Sequence, residues 1–334
     1  MAAPHPSLQE IGRILLDAPS IVIASHTRPD GDALGSTIAL ADTLRELGKT
    51  VVAVNQDGVP QRYAFLPCAS SVRKPGAVKE LAGAPLFVAL DTSSPERLGD
   101  EVWKLVANRS ATLVIDHHAS NQKFGDVHHV NQESPATGQL IYELIETMDW
   151  PLTPTARDNL WVAMATDTGS FQYPATTPRT FAIASRLLEA GVDLSWMSVA
   201  LFQNYPFRRL ELLRELLGTI RRSAGGQIAS WSMSRELIKR LGIQPDDHDG
   251  LIDMLRSIAG VVVAASFEEE ADGTVRISAR STDASRANVA QICQAFGGGG
   301  HRLAAGAKVQ GTLESVSERF LAAVTQELDH DGTP

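Results

Sequence analysis

Apolar residues in the first ~190 positions come in two forms, short solid runs and longer stretches with a helical period. The runs at 20–25, 50–55, 86–91 and 111–116 are rich in Val, Ile and Leu, and are too short to be ordinary helices. Being apolar at consecutive positions through their centres rather than at every second one, they predict strands of a parallel sheet covered on both faces. Helical spacing falls at 7–17, 33–48, 136–149, 155–166 and 178–190. In the 33–48 segment, Leu34, Ile38, Leu40, Ala41, Leu44 and Leu47 form one stripe, and Gly48 ends it. Thr153-Pro154-Thr155 and Thr177-Pro178 read as helix starts, with proline in the first turn. Strands alternating with helices predict an α/β domain whose mostly parallel sheet is flanked by helices.

Gly191-Val192-Asp193 closes that pattern. Residues 194–222 read as one or two helices whose Arg208, Arg209, Arg214, Arg221 and Arg222 suit a solvated face. After Gly225-Gly226 the character changes: strands are expected at 227–233, 260–269 and 274–281, with helices at 234–241, 249–257, 287–296 and 314–328. Asp272-Gly273 marks a hairpin between two of these strands. The mixture, without strict alternation, predicts a smaller C-terminal α+β domain. The expected division is 1–190 for the first domain, 191–225 for a helical linker that lets the domains move, and 226–330 for the second. The tail from Asp329 is expected to fray.

With 334 residues the chain is long enough for two cores. A net charge of −9 argues against a long electrostatic track for duplex nucleic acid, but leaves room for a short anionic substrate held by a few arginines. Cys68 and Cys293 stand far apart without a CxxC, and are read as small buried apolar residues. No stretch approaches the ~20 apolar residues that span a bilayer. Met1-Ala-Ala-Pro-His-Pro6 lacks the basic flank and apolar core of a signal peptide, so a cytoplasmic protein is expected.

Chemistry-bearing residues gather at the ends of the apolar runs. His26, Asp30 and Asp32 follow the first strand in Ser25-His-Thr-Arg-Pro-Asp-Gly-Asp32, and Asp91 closes the run 86–90. Asp116-His117-His118 closes the run 112–115, and Asp167 lies in Ala165-Thr-Asp-Thr-Gly-Ser-Phe171. In open α/β sheets the carboxyl ends of the strands face one crevice. Each segment alone has a bland reading: Asp-Gly-Asp as a turn in which Gly31 permits a sharp bend, Asp91 and Asp167 as caps. Their co-occurrence points to a two-metal site of hard or borderline divalent cations. Two metals sharing a carboxylate suit phosphoester hydrolysis, by activating water and neutralising charge on the transferring phosphoryl group. No GxSxG or P-loop competes for the role. In the second half, Ser278-Ala-Arg280-Ser281 and Phe296-Gly-Gly-Gly-Gly-His301-Arg302 suggest a phosphate grip, with glycine amides as an anion nest beside Arg280 and His301. His128-His129 is read as surface.

Taken together, these segments resemble the motifs of the DHH phosphoesterase superfamily, and the Ser-Ala-Arg-Ser and Gly-Gly-Gly-Gly-His segments resemble its DHHA1 domain. The arrangement over residues ~8–325 is most similar to the NrnA-type branch, the nanoRNases and pAp phosphatases. The resemblance implies that His26, Asp30 and Asp91 hold one metal and that Asp32, Asp91, His117 and Asp167 hold the other, with Asp91 as the bridge. It implies two Mn²⁺ ions, with Mg²⁺ or another divalent ion as substitutes. His118 and Asp116 would be the catalytic pair: His118 faces the phosphate, and Asp116 supports the metal-binding imidazole. Arg280, Ser281, Gly298, Gly299, Gly300 and His301 would bind substrate across an interdomain cleft. The implied activity is hydrolysis of very short oligoribonucleotides to 5′-mononucleotides together with pAp phosphatase activity. The rival is a cyclic di-AMP or pApA phosphodiesterase, and a nucleotide-binding regulator with a dead site is the non-enzyme alternative. A homodimer is also implied.

Overall fold

The computed structural model describes residues 6–81, 83–248 and 250–330. They form two compact units that divide between Gln203 and Asn204. The start of the leader read as lacking a signal sequence, and residues 331–334 of the tail, lie outside the described residues. Asp329 and His330 do not fray but continue the last helix.

In chain order, the first unit contains α1 (Leu8–Asp17), β1 (Ser20–Ser25), α2 (Gly31–Glu46), β2 (Thr50–Val54), β3 (Val72–Arg73) and β4 (Leu86–Leu90). It continues with α3 (Asp100–Leu105), β5 (Ala111–Asp116), β6 (Val127–Val130), α4 (Thr137–Thr147), α5 (Pro154–Asp167), α6 (Pro178–Glu189) and α7 (Leu194–Phe202). The strands lie in the order β3-β2-β1-β4-β5-β6, all parallel. The solid apolar runs have their physical reason here, because β1 and β4 are buried at every position. Alternate residues serve opposite faces: Ile21, Ile23, Val88 and Leu90 join the core under α1, α2, α4 and α5. Val22, Ala24, Phe87 and Ala89 join a second core with Val102 of α3. Strand order reverses direction between β1 and β4, the switch point where open α/β sheets leave a crevice at their carboxyl ends.

Glycines set how close the helices come on the first face. A Cβ on Gly35 would lie 2.4 Å from the Asn159 carbonyl oxygen and 2.9 Å from Ala163 Cβ, so α2 and α5 meet almost backbone to backbone. Gly31 has a related role, which corrects the expected sharp bend. It is the first residue of α2, and a Cβ there would strike the Thr166 side chain at 2.5 Å.

The second unit contains α8 (Phe207–Leu217), β7 (Arg221–Ser223), β8 (Ile228–Met233), α9 (Arg235–Leu241), α10 (Ile252–Arg256), β9 (Val263–Glu269) and β10 (Thr274–Ser281). It ends with α11 (Val289–Ala295), β11 (Gly299–His301), β12 (Ala304–Gln310) and α12 (Leu313–His330). The strand order is β11-β12-β10-β9-β8-β7; β8 and β9 are parallel and the remaining pairs antiparallel. One face packs Phe267, Val275 and Ile277 on Phe320 and Val324 of α12. The other packs Trp231 and Ala264 on Leu212, Leu216 and Leu255.

Several expectations change. Residues 194–217 are not an independent connection, because Met197 and Leu201 of α7 join the first unit's core and Leu212 and Leu216 of α8 the second's. The arginines of α8 are not all solvated: Arg209 is buried and donates to the Asp247 carbonyl at 2.6 Å, and Arg208 pairs with the Asp247 carboxylate. Cys68 is exposed, in a left-handed turn with φ 60°, so only Cys293 fits the buried reading. Burial pushes the Cys293 thiol up to about 12.

Candidate metal centre

The crevice at the carboxyl ends of β1, β4 and β5 receives a side chain from each strand. His26 leaves β1 and is buried. Its Nδ1–H donates to the Thr27 carbonyl at 2.8 Å, which turns Nε2 toward Asp30 Oδ2 (3.7 Å) and Asp91 Oδ2 (3.5 Å). Asp30 is also the N-cap of α2, its Oδ1 accepting from the Ala33 amide at 3.0 Å. Asp30 therefore caps α2 with one oxygen and faces His26 with the other. Asp91 takes a left-handed φ of 52°, which aspartate tolerates better than most residues.

On the far side of Asp91, His117 repeats the arrangement. Its Nδ1 faces the Ser134 carbonyl at 3.2 Å, and its Nε2 lies 3.5 Å from Asp91 Oδ1, 3.2 Å from Asp167 Oδ2 and 3.9 Å from Asp32 Oδ2. Asp91 thus shows one oxygen to each imidazole. Asp167 is the last residue of α5 and Asp32 the second of α2, so the close α2–α5 contact brings them together.

Asp32 is fixed by α4. That helix has no side-chain cap of its own; instead the Thr137 and Gly138 amides donate to the Asp32 carboxylate at 2.7 and 2.8 Å. Ser36 adds a third bond at 2.9 Å, and the Thr137 hydroxyl donates to Asp91 Oδ1 at 3.0 Å. A carboxylate at a helix N-terminus is favoured by the unsatisfied amides and the helix dipole. Ser134, Thr137 and Gly138 are not legible in the sequence because their partners lie 17 or more residues away, and Ser36, one turn after Asp32, reads there as an ordinary helix residue.

Asp116 differs from expectation. Its Oδ1 lies 2.7 Å from His118 Nδ1 and its Oδ2 accepts from Asn121 Nδ2 at 2.6 Å, so it supports His118 and not the cluster-facing His117. It is fully buried, and its pKa is lowered because the His118 and Asn121 bonds outweigh burial.

The donor set fits a divalent cation. Carboxylates and neutral Nε2 atoms are all acceptors, yet here they face one another at 3.2–3.9 Å. Such contacts need a proton or a cation between them. Without a cation, protons are drawn in. Burial disfavours the charged His26 ring, but Asp30 and Asp91 outweigh it and raise its pKa to about 10. Burial and the neighbouring carboxylates raise Asp32 well above its usual range, and Asp167 to about 7. Overlapping groupings, among them His26–Asp30–Asp91, Asp32–His117–Asp167 and Asp91–Asp116–His117–His118, have ligand atoms close enough to hold an ion.

In the second unit, Arg276, Ser278 and Arg280 alternate along β10 and line a cavity of about 60 Å³ with Trp231, His248 and Ser266. Arg276 pairs with Glu268, whereas Arg280 has no acidic partner among the described residues. Ser281 does not share that face. It is buried, its hydroxyl donates to the Asp283 carbonyl at 2.9 Å, and this corrects the expected substrate contact. The glycine run is not an open nest either. The Gly297 and Gly298 amides donate to Gln294 and Cys293 carbonyls at the end of α11, and Gly299–His301 pair with β12. A Cβ on Gly298 or Gly300 would collide with β12 backbone, so these two glycines serve close strand packing. His128 and His129 sit half-buried on β6, at the edge of the first sheet.

No helix among the described residues is long and apolar enough to cross a membrane. Residues 20–166 match the DHH family, N-terminal domain, and residues 232–329 match the DHHA1 domain. The chain is 33% identical to the bifunctional oligoribonuclease and PAP phosphatase NrnA of Thermus thermophilus, over 99% of this chain and 98% of the relative. To the NrnA protein of Bacillus subtilis it is 27% identical, over 91% and 93%. It is 26% identical to the cyclic-di-AMP phosphodiesterase GdpP of Geobacillus thermodenitrificans, over 96% of this chain but 49% of that protein. An exopolyphosphatase-related protein from Bacteroides fragilis shares the fold, with TM-score 0.89 and 24% identity over 98% and 97% of the two chains. With a cluster of buried acids and imidazoles at the switch point of its parallel sheet, and with similarity running through both halves, the chain belongs to the DHH family of phosphoesterases that carry a DHHA1 domain.

Proposed function

We propose that the protein hydrolyses very short oligoribonucleotides to 5′-mononucleotides and removes a phosphate from pAp, using two divalent cations with Mn²⁺ preferred. One observation carries the reading: the two oxygens of Asp91 face two imidazoles, each backed by further carboxylates. That is the donor pattern of two ions sharing a bridge. His26 and Asp30 would hold one ion, Asp32, His117 and Asp167 the other, and Asp91 both. The bound ions supply an activated water and neutralise charge on the phosphoryl oxygens. The names of the NrnA relatives support the substrate class.

The chain's own residues do the rest. Asp116 accepts the Nδ1–H of His118 and leaves Nε2 as the ring atom that, when the ring carries a second proton, gives that proton to the leaving oxygen. Arg280, a cation without an acidic partner among the described residues, and His301 hold a second phosphate of the substrate. The second reading, cleavage of cyclic di-AMP or pApA, is favoured by the similarity to GdpP, of which the chain spans about half.

The test is a side-by-side assay with Mn²⁺ on a 5′-phosphorylated RNA dinucleotide, a 20-mer RNA, pAp and cyclic di-AMP, with Asp91→Asn as control. Fast turnover of the dinucleotide and pAp with a slow 20-mer supports the reading. Dominant turnover of cyclic di-AMP replaces it with the second, and no turnover despite bound Mn²⁺ overturns both.

A further inference from the structure

Asn121 lies three residues beyond the histidine pair, in the loop between β5 and β6. Its side-chain amide is fully used. Nδ2 donates to Asp116 Oδ2 at 2.6 Å and to the Thr92 carbonyl at 3.0 Å, and Oδ1 accepts from the Lys123 amide at 2.6 Å. Its own backbone amide donates to the His118 carbonyl at 3.1 Å. One side chain therefore joins the loop that carries Asp91 to the loop that carries His118.

The chemistry of that link is specific. A carboxylate has two oxygens that it can turn about its own bond. Asp116 is completely buried, and Asn121 occupies Oδ2 with a donor, so Oδ1 is left for His118 Nδ1 at 2.7 Å. The ring is then fixed in the Nδ1–H tautomer. Because Nδ2 also grips the Thr92 carbonyl, the position of His118 is referenced to the residue after Asp91. We propose that Asn121 is a positioning residue for the reaction: it orients Asp116 so that His118 is held in one tautomer at a set place relative to Asp91. The inference rests on the role given above to His118, and it makes no claim about metal binding.

The test replaces Asn121 with Leu, which keeps the size and removes every donor, and with Asp, which sets an acceptor against the Asp116 carboxylate. In Mn²⁺-loaded enzyme, kcat is expected to fall about 10- to 100-fold on both the RNA dinucleotide and pAp. KM should stay within about twofold, since no group that grips the substrate is touched. The number of Mn²⁺ ions bound per chain should not change. The second readout needs no substrate: ¹⁵N-histidine spectra of the Mg²⁺-loaded protein should show His118 as the Nδ1–H tautomer in the native chain and as a mixture in Asn121→Leu. An unchanged kcat, or a fall that follows lost metal, overturns the proposal. So does an unchanged tautomer with a lowered melting temperature, which would make Asn121 a loop brace only. If Asn121→Leu does not fold, Asn121→Ser is read by the same measurements. A wrong substrate class would appear in the substrate panel while the tautomer shift remained, so the two failures are separable.

Discussion

The two sheets handle charge in opposite ways. In the second unit several charged groups on and beside the sheet meet opposite charges within the protein: Arg276 with Glu268, Lys308 with Glu270 and Asp272, and Arg208 with Asp247. Arg280, on the cavity-lining side of β10, has no acidic partner among the described residues. In the first unit, Asp30, Asp32, Asp91 and Asp167 converge on the Nε2 atoms of His26 and His117, with helix amides as further donors. Charge that the protein itself leaves unbalanced marks where a charged ligand belongs. By that measure the first unit calls for cations, and the cavity beside Arg280 in the second for an anion.

The sharpest way to break the contrast is to change the group shared by both halves of the acidic cluster. Asp91→Asn removes the charge that faces His26 and His117 at once. Hydrolysis of the preferred substrate should fall by about 10³-fold, or ~4 kcal/mol in the barrier, with the protein still folded. Single-turnover rates and circular dichroism check both halves of that statement. A variant that keeps more than a tenth of the activity would remove Asp91 from the bridge.

Arg280 gives the next effect. Arg280→Ala should lower kcat/KM about 10- to 100-fold, mainly through KM, because a charge-assisted bond to phosphate contributes ~1.5–3 kcal/mol. Steady-state kinetics on a dinucleotide and on a substrate lacking the second phosphate should show the loss on the first alone. An equal loss on both would place Arg280 in the structure and not in recognition.

Much of this was legible in the sequence, and the reason is local. His26, Asp30, Asp32, Asp91, Asp116, His117 and His118 each sit within a few residues of an apolar strand, so their shared crevice follows from the parallel sheet. What surrounds them was not legible. Thr137 and Gly138 reach Asp32 across more than 100 residues, and Asn121 reaches back to Thr92, contacts that no short window contains. The glycine run misled for a different reason. Glycine suits a nest and a crowded strand equally, and only the β12 backbone against Gly298 and Gly300 decides between them. β12 itself, Ala304-Ala-Gly-Ala-Lys-Val-Gln310, was missed because Ala and Gly carry little strand preference.

Charge imbalance also predicts opposite pH behaviour for the two units in metal-free protein. Asp167, raised to about 7, keeps a proton in the fold that the unfolded chain releases near pH ~4, so its contribution weakens as pH rises through that window. His26, raised to about 10, acts in the same direction: its stabilisation is complete below pH ~6.5 and is lost as pH rises through 10. In the second unit, bonds from Thr274 and Lys308 lower Asp272, whose contribution is lost only in acid. Between pH 5 and 8 the first unit should therefore melt progressively lower while the second stays level. Mn²⁺ at about 100 times its Kd should restore ~2.7 kcal/mol, roughly 5–10 °C, and should do so most at pH 8. Calorimetry with and without chelator measures this, and a first transition that rises with pH would contradict the assignment.

The smallest expected effects separate two uses of glycine. Gly35→Ala places a methyl group against the Asn159 carbonyl and Ala163, where backbone must move, so it should cost about 2 kcal/mol, or ~4–8 °C. Gly242, at φ 64° after α9, has nothing within 4 Å of an added Cβ, so Gly242→Ala meets only the left-handed backbone penalty of ~1 kcal/mol. The difference in kind matters more than the difference in size. Moving α2 from α5 separates Asp32 from Asp167, so Gly35→Ala should also lower activity and Mn²⁺ affinity together. Gly242→Ala should lower the melting temperature and leave kcat intact. If both variants lose only stability, the helix spacing does not set the metal centre.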